Sequence, residues 1–192
     1  RFPLDPRLAR MLIAGAHSGC LEEMLIIVSA ISSQDPRERP PEKQMQADQK
    51  HALFKDKDSD FLFYVKLWQS FEATRSDLSE NQRKQWAKTH FMSYLRMREW
   101  RETHHQLVLV CKDLGLQRHV EPAKYEVLHR ALLTGLLSSI AHKNDDKEYL
   151  AARNQKAKIF PASALYKKGV AWLMAAEIVE TSQVYLRTNA KI

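Results

Sequence analysis

The sequence predicts a mainly α-helical protein in which a helical bundle is followed by a small β module. Only 5 of the 192 residues are glycine, which is few for an all-β chain because tight turns need glycine at positive φ. Apolar residues recur at helical spacing through most of the chain. After about residue 146 the apolar stretches become short and turn residues separate them, which favours strands.

The first two helices have clear boundaries. Asp5 followed by Pro6 is typical of an N-cap and a first helical position, so a helix is predicted to begin there and to end at Gly19. A second, strongly apolar helix is predicted from Leu21, and the proline-rich connection at residues 35–41 lies beyond it.

A helical pattern resumes at about residues 42–54, and three further helical stretches are predicted between it and the β module. Ser59 is a suitable N-cap for the first, and Ser79 with Gln82 forms a capping-box pair for the next. That run is expected to continue, with a break near His90, as a long helix to about residue 114. Helix is predicted to start again at residues 121–122, where proline follows glutamate.

Four short strands are predicted in the β module. They cover residues 149–152, 156–160, 172–177 and 179–186. Core positions are expected for Trp172 and Tyr185, because large aromatic side chains in a small domain are usually buried. Aromatic residues interleaved with basic ones on a small β-barrel also suit single-strand binding.

Composition restricts the class of protein. Cys20 and Cys111 lie far apart in helical patterns, which argues against a disulfide framework and favours the cytoplasm. The longest apolar runs are too short to cross a bilayer, so no membrane contact is expected. Arg1 lies inside a continuing pattern, and we expect the chain to be part of a longer protein.

Sequence motifs for catalysis are absent. The chain has no glycine-rich phosphate loop ending in Gly-Lys-Ser/Thr and no His-Glu-x-x-His motif. His17 and Cys20 resemble half of a zinc site, but no second half follows at a usable spacing. We therefore expect no catalytic residue, no cofactor-binding residue and no metal ligand in this chain.

Positive charge is the remaining chemical signal. The net charge is +7 and the sequence pI is about 9.4. Residues 82–105 hold six Lys or Arg against two Glu, and residues 148–192 hold seven against three. Such a surface attracts polyanions, although a basic face is also often only solvated. Composition and spacing alone thus indicate a helical domain and a small β domain with possible nucleic-acid binding.

Seven segments, in order along the chain, resemble segments of bacterial HrpA-type DEAH-box ATP-dependent RNA helicases. They are residues 2–12, 19–31, 34–40, 47–68, 90–107, 159–165 and 177–182. The sequence departs from the family pattern at His90, where Asn is usual, and at Ala162, where Gly or Ser is usual. Gly169 stands near an expected proline.

The resemblance implies a domain organisation. Residues 1–18 would end a winged-helix region, residues 19–119 would form a ratchet-like helicase-associated domain, and residues 120–192 a leading helix with an OB-fold. The OB-type barrel is expected to be incomplete at its C-terminal end. Two RecA-like motor domains, which bind ATP and Mg²⁺ in the family, would lie outside this chain, and the fragment alone would be non-catalytic.

The resemblance also implies the function of an accessory module that grips single-stranded RNA, or DNA, and couples it to those motor domains. The candidate nucleic-acid-binding residues are Arg98, Arg101, Lys156, Lys158, Ser163, Lys167 and Lys168. A stand-alone RNA-binding adaptor and a protein-interaction domain for an acidic partner are the alternatives. A structural role for Arg98, paired with a carboxylate of the bundle, is the alternative for that residue.

Overall fold

The computed structural model describes residues 4–145 and 147–192. In this part of the chain seven α-helices precede five β-strands. They are α1 (Pro6–His17), α2 (Leu21–Ile31), α3 (Gln44–His51), α4 (Asp60–Asp77), α5 (Glu80–Thr89), α6 (Tyr94–Asp113), α7 (Tyr125–Leu133), β1 (Ile140–Asp145), β2 (Glu148–Leu150), β3 (Lys156–Ile159), β4 (Trp172–Glu180) and β5 (Val184–Lys191). The predicted class, a helical bundle followed by a small barrel, is confirmed. The start of the first family-like segment, Phe2 and Pro3, lies outside the described residues.

Local capping sets several helix boundaries where the sequence predicts them. The Asp5 carboxylate accepts a hydrogen bond from the Arg7 amide at 2.8 Å, with proline in the first turn of α1. Gly19 has a φ of 75°, which glycine adopts without strain. Ser79 and Gln82 form the reciprocal capping box at the start of α5.

The long helix begins later than predicted, at Tyr94 rather than near residue 90. The backbone between α5 and α6 pairs with the connection after α2 instead of continuing the helix. The Glu38 amide donates to the Phe91 carbonyl, and the Ser93 amide donates to the Pro36 carbonyl, both at 2.8 Å. This non-local pairing holds Phe91 at a φ of 54°, outside the helical region.

The last helix also begins later than the sequence predicts. Residues 121–122 precede it in irregular structure, and Lys124, with φ −70° and ψ 149°, is its N-cap residue. The leading segment instead lies beside α2, where the Ala123 amide donates to the Glu23 carboxylate at 3.4 Å. Pro122 therefore lies in the segment before this helix and not in its first turn.

Helix α2 forms the centre of the bundle. Eight of its 11 residues are buried, and it packs against α1, α4 and α6. The Trp100 indole N–H of α6 donates to the Ser29 hydroxyl at 2.9 Å, so a buried polar group meets a buried partner. Phe61 and Phe71 of α4 complete the largest part of this core.

The five strands close into a barrel in the order β1-β2-β3-β5-β4. Strand β3 pairs in parallel with β5, and the other neighbours are antiparallel. Strand β5 supplies the pairing that closes the barrel formed by the described residues. Strand β1 was not predicted, because the apolar stretch that begins in α7 continues to Ala141 and hides the boundary between helix and strand.

Two predicted strand boundaries also move. The predicted division between residues 177 and 179 lies inside β4, which runs to Glu180. The turn comes at residues 181–183, where the Thr181 amide donates to the Gln183 carbonyl at 2.9 Å. Strand β4 gains length because it pairs with β5 along most of its residues, whereas β5, at 8 residues, is as long as predicted but begins five residues later.

The barrel is attached to the start of α4. Met174 and Ala190 face outward from the barrel and pack into the bundle core. The Lys191 amide donates to the Asp58 carbonyl at 2.8 Å, and Ser59 forms an isolated β-bridge with Ala190. These contacts place the barrel at a defined position next to the bundle.

The packing does not separate the chain at residues 18 and 119. Helices α1 and α7 both contribute to the bundle core and pack against each other. The division into three domains at residues 18 and 119 therefore stays a prediction that rests on the family resemblance. Among the described residues, no helix combines the length and the apolar character needed to span a bilayer.

Candidate nucleic-acid interface

Helix α6 presents one buried face and one polar face. The Ser93 hydroxyl caps it by accepting from the Arg96 amide at 3.2 Å. Its buried residues recur at helical spacing and are Met97, Trp100, His104, Leu107 and Cys111. The hydrogen bond from Trp100 to Ser29 fixes the rotation of the helix, so Arg98 and Arg101 point away from the core.

The two candidate arginines on α6 differ in their contacts. Arg98 is exposed and makes no ion pair or hydrogen bond with any described residue. Arg101 is half-buried, and its Nε lies 3.1 Å from Glu72 Oε1 of α4. Arg98 therefore has no carboxylate partner among the described residues, whereas Arg101 is paired with Glu72.

Both arginines line a cleft of about 510 Å³ between α4 and α6. The charged side chains around it are Arg75, Arg98, Arg101, Arg118, Glu72 and Glu102. Glu72 also lies 3.5 Å from Arg75, and Arg118 makes two hydrogen bonds to Glu22, at 2.6 and 2.7 Å. Guanidinium groups outnumber carboxylates in the lining, which favours an anionic ligand.

Burial shifts the pKa of two side chains that line this cleft. It lowers the pKa of His104 to about 4, and the nearby Arg118 guanidinium acts in the same direction. Burial also raises the pKa of Glu72, against the opposing effect of Arg75 and Arg83. His104 is therefore neutral at pH 7, and its ring lies 4.3 Å from that of Trp68.

The four candidate lysines lie on the surface of the barrel. Lys156 and Lys158 are exposed on β3, two residues apart, so their side chains leave the same face of the strand. Lys156 Nζ lies 3.9 Å from Glu148, a weak and exposed ion pair. Lys167 and Lys168 are exposed in the connection to β4, where Lys167 has a φ of 60°.

Ser163 occupies a structural position instead of a free edge. It is 7% exposed, and its hydroxyl donates to the carboxylate of Asp60 at the start of α4. The same hydroxyl accepts from Asn189 Nδ2 at 3.2 Å. A direct hydrogen bond from Ser163 to a phosphate is therefore not available in this conformation, and only its role in shaping the loop remains open.

Two features of the surface were not predicted from the sequence. Trp172 is 52% exposed, so the expectation of a core position for it is wrong, whereas Tyr185 is half-buried. Arg75 and Arg118 join the cleft from α4 and from the segment after α6, at positions that helical spacing could not link. The only sequence signal for these two arginines is that the helical bundle as a whole is rich in arginine.

The half zinc site has no structural support in the described chain. No group of three or more His, Cys, Asp or Glu side chains there could hold a metal ion. Cys20 is buried and is not disulfide-bonded.

Two known domain families match parts of the chain. The helicase-associated domain HA2, ratchet-like, matches residues 5–94. The oligonucleotide/oligosaccharide-binding fold, or OB-fold, matches residues 128–192. The first match covers α1 to the start of α6, and the second covers most of α7 and the whole barrel.

Several curated proteins are similar over the full chain. The ATP-dependent RNA helicase HrpA of Escherichia coli is 49% identical over 193 residues, and the HrpA homolog of Haemophilus influenzae is 47% identical. The pre-mRNA-splicing factor ATP-dependent RNA helicase prp22 of Schizosaccharomyces pombe is 28% identical over 198 residues. The chain spans about 15% of the length of the two bacterial relatives and 16% of the yeast one.

Proposed function

We propose that this chain, which matches the ratchet-like helicase-associated domain over residues 5–94 and the OB-fold over residues 128–192, is the accessory nucleic-acid-binding module of an HrpA-type RNA helicase. It grips single-stranded RNA and couples the strand to RecA-like motor domains of the same polypeptide. ATP and Mg²⁺ act in those motor domains, and this chain contributes no catalytic group. The enzyme works in the cytoplasm.

The observation that carries this proposal is the free guanidinium of Arg98 at a cleft rich in arginine. Its fork of donors can bind a phosphate with two hydrogen bonds or lie against a base. Arg101, held by Glu72, supplies a second positive group on the same side of α6. The strand therefore meets the bundle at this cleft.

The barrel provides the second contact with the strand. Lys156, Lys158, Lys167 and Lys168 are exposed, and flexible ammonium groups suit phosphates that must be released at each step. Ser163 maintains the loop between these two lysine pairs through its bond to Asp60.

Salt-dependent binding of a labelled single-stranded RNA to the 192-residue chain tests the cleft. Arg98→Ala should weaken binding and reduce the magnitude of the log–log salt slope by about 0.7, because one phosphate contact is lost. Arg10→Ala is the matched control, since it removes an exposed arginine from α1. Equal slopes for both variants and the parent chain would exclude Arg98 from the strand path.

The complete helicase separates a binding role from a structural one. Arg98→Ala should leave the melting temperature nearly unchanged while RNA-stimulated ATP hydrolysis or unwinding falls. A variant that melts early yet unwinds normally at low temperature would contradict the role in the cleft. A longer polypeptide without a phosphate-binding loop and an Asp-Glu-Ala-His motif would instead favour the stand-alone adaptor.

A further inference from the structure

Trp172 is an exposed aromatic residue at the start of β4. Alternate residues of this strand face opposite sides, and Leu173 and Ala175 fill the barrel core. Met174 faces outward and is covered by the bundle. Trp172 faces outward as well, but 52% of it remains exposed because it lies beyond the edge of that contact.

Trp172 contacts residues on both sides of its strand. His142 is its partner on β1, with ring centroids 5.0 Å apart and an interplanar angle of 42°. On the other side, the Ile192 amide donates to the Trp172 carbonyl at 3.2 Å. Backbone pairing on both sides orders the strand, so the aromatic surface is presented without a large loss of conformational entropy on binding.

The chain segment that leads into β4 is basic. Residues 149–176 contain five Lys or Arg and no Asp or Glu. The connection before β4 carries Lys167 and Lys168 and runs beside β1, where the Lys143 amide donates to the Ala171 carbonyl at 2.9 Å. A second exposed aromatic residue, Tyr166, precedes the two lysines and is 41% exposed.

We propose that Trp172 is a platform on which one base of the bound strand stacks, while Lys167 and Lys168 hold the adjacent phosphates. This inference rests on the proposed function and adds to it a contact that recognises the base and not the backbone. A flat, exposed ring on a strand that follows two exposed lysines fits a nucleobase on a polyanionic chain. An acidic protein segment would satisfy the lysines but would leave the ring without a matching flat surface.

Two probes of equal length separate base stacking from phosphate binding. One is a short oligoadenylate, and the other is the same sugar–phosphate chain without bases. Trp172→Leu retains apolar volume but removes the aromatic face, whereas Trp172→Phe retains a ring. Circular dichroism melting of each variant checks that the barrel is folded.

Trp172→Leu should weaken oligoadenylate binding by about 5- to 150-fold, the range for one stacked base. It should leave binding of the abasic chain unchanged, and Trp172→Phe should retain most of the affinity for oligoadenylate. Oligoadenylate should also quench the emission of Trp172, which is much more exposed than Trp68 at 8% or Trp100 at 1%.

The possible failures differ. Unchanged oligoadenylate affinity in Trp172→Leu overturns the stacking platform and leaves the proposed function intact. Equal losses on both probes also overturn it, because they assign Trp172 to the fold of the barrel. If the parent chain binds neither probe at low salt, the proposed function fails and the platform fails with it.

Discussion

Replacing Asp60 with alanine should uncouple the barrel from the bundle. Asp60 is the first residue of α4, and its carboxylate accepts three hydrogen bonds from the barrel. The donors are the Ser163 hydroxyl, the Ala164 amide at 2.8 Å and the Asn189 amide at 2.9 Å. One side chain of the bundle therefore holds two separate segments of the barrel.

The cost follows from the donors that alanine would leave without a partner. Ser163 is 7% exposed and Asn189 is fully buried, so water cannot easily replace the carboxylate. An unsatisfied buried group costs about 1–3 kcal/mol, so the two donors on these buried residues give about 2–6 kcal/mol before relaxation. Because Asp60 itself is half-buried, some water can enter, and we expect the free energy of unfolding to fall by about 3–5 kcal/mol.

Urea unfolding followed by circular dichroism and by tryptophan fluorescence measures this effect. The parent chain should unfold in one transition, and Asp60→Ala should show an early loss of the barrel signal. Asp77→Ala is the control, because Asp77 is exposed at the other end of α4, where a carboxylate opposes the helix dipole. A loss below about 1 kcal/mol in Asp60→Ala, or an equal loss in the control, would refute the reasoning.

Three further predictions concern the barrel lysines, the buried His104 and ATP hydrolysis. Replacing Lys167 and Lys168 with alanine should weaken single-strand binding for every sequence, and the salt slope should lose about 0.7 for each phosphate contact; an unchanged slope would remove both lysines from the interface. Folding lowers the pKa of His104 from 6.5 to about 4, so as the pH falls the unfolded chain takes up this proton before the folded chain does. The free energy of unfolding should therefore decrease as the pH drops from about 6.5 towards 4, by about 3 kcal/mol for this group. His104→Gln should flatten that pH dependence in melting experiments, and an equally steep curve would assign it to other groups. The purified chain should hydrolyse no ATP, because the sequence has no phosphate-binding loop; turnover that persisted through repurification would contradict its non-catalytic role.

Features determined by neighbouring residues could be predicted from the sequence. The Asp5 cap, the turn at Gly19 and the capping box of Ser79 and Gln82 each depend on a few adjacent positions, and all are present in the structure. The helical bundle followed by strands is likewise a consequence of local periodicity.

Features determined by distant residues could not be predicted. The Ser163–Asp60 hydrogen bond joins residues 103 positions apart, and no spacing rule indicates it. Trp172 is exposed because the bundle covers Met174 and ends there, which depends on how two domains pack. Arg98 and Arg101 are three residues apart, yet only the position of Glu72 on another helix distinguishes the free guanidinium from the paired one.

Helix α4 fixes the distance between the barrel and the arginine-lined cleft, the two surfaces that we propose to contact the strand. Its first residue, Asp60, is anchored to the barrel, and Glu72 lies 12 positions further along the same helix, at the arginine-lined cleft. At 1.5 Å per residue these points are separated by about 18 Å along the axis. A continuous hydrogen-bonded helix cannot stretch, so a strand that reaches both surfaces must span a constant interval whatever its sequence.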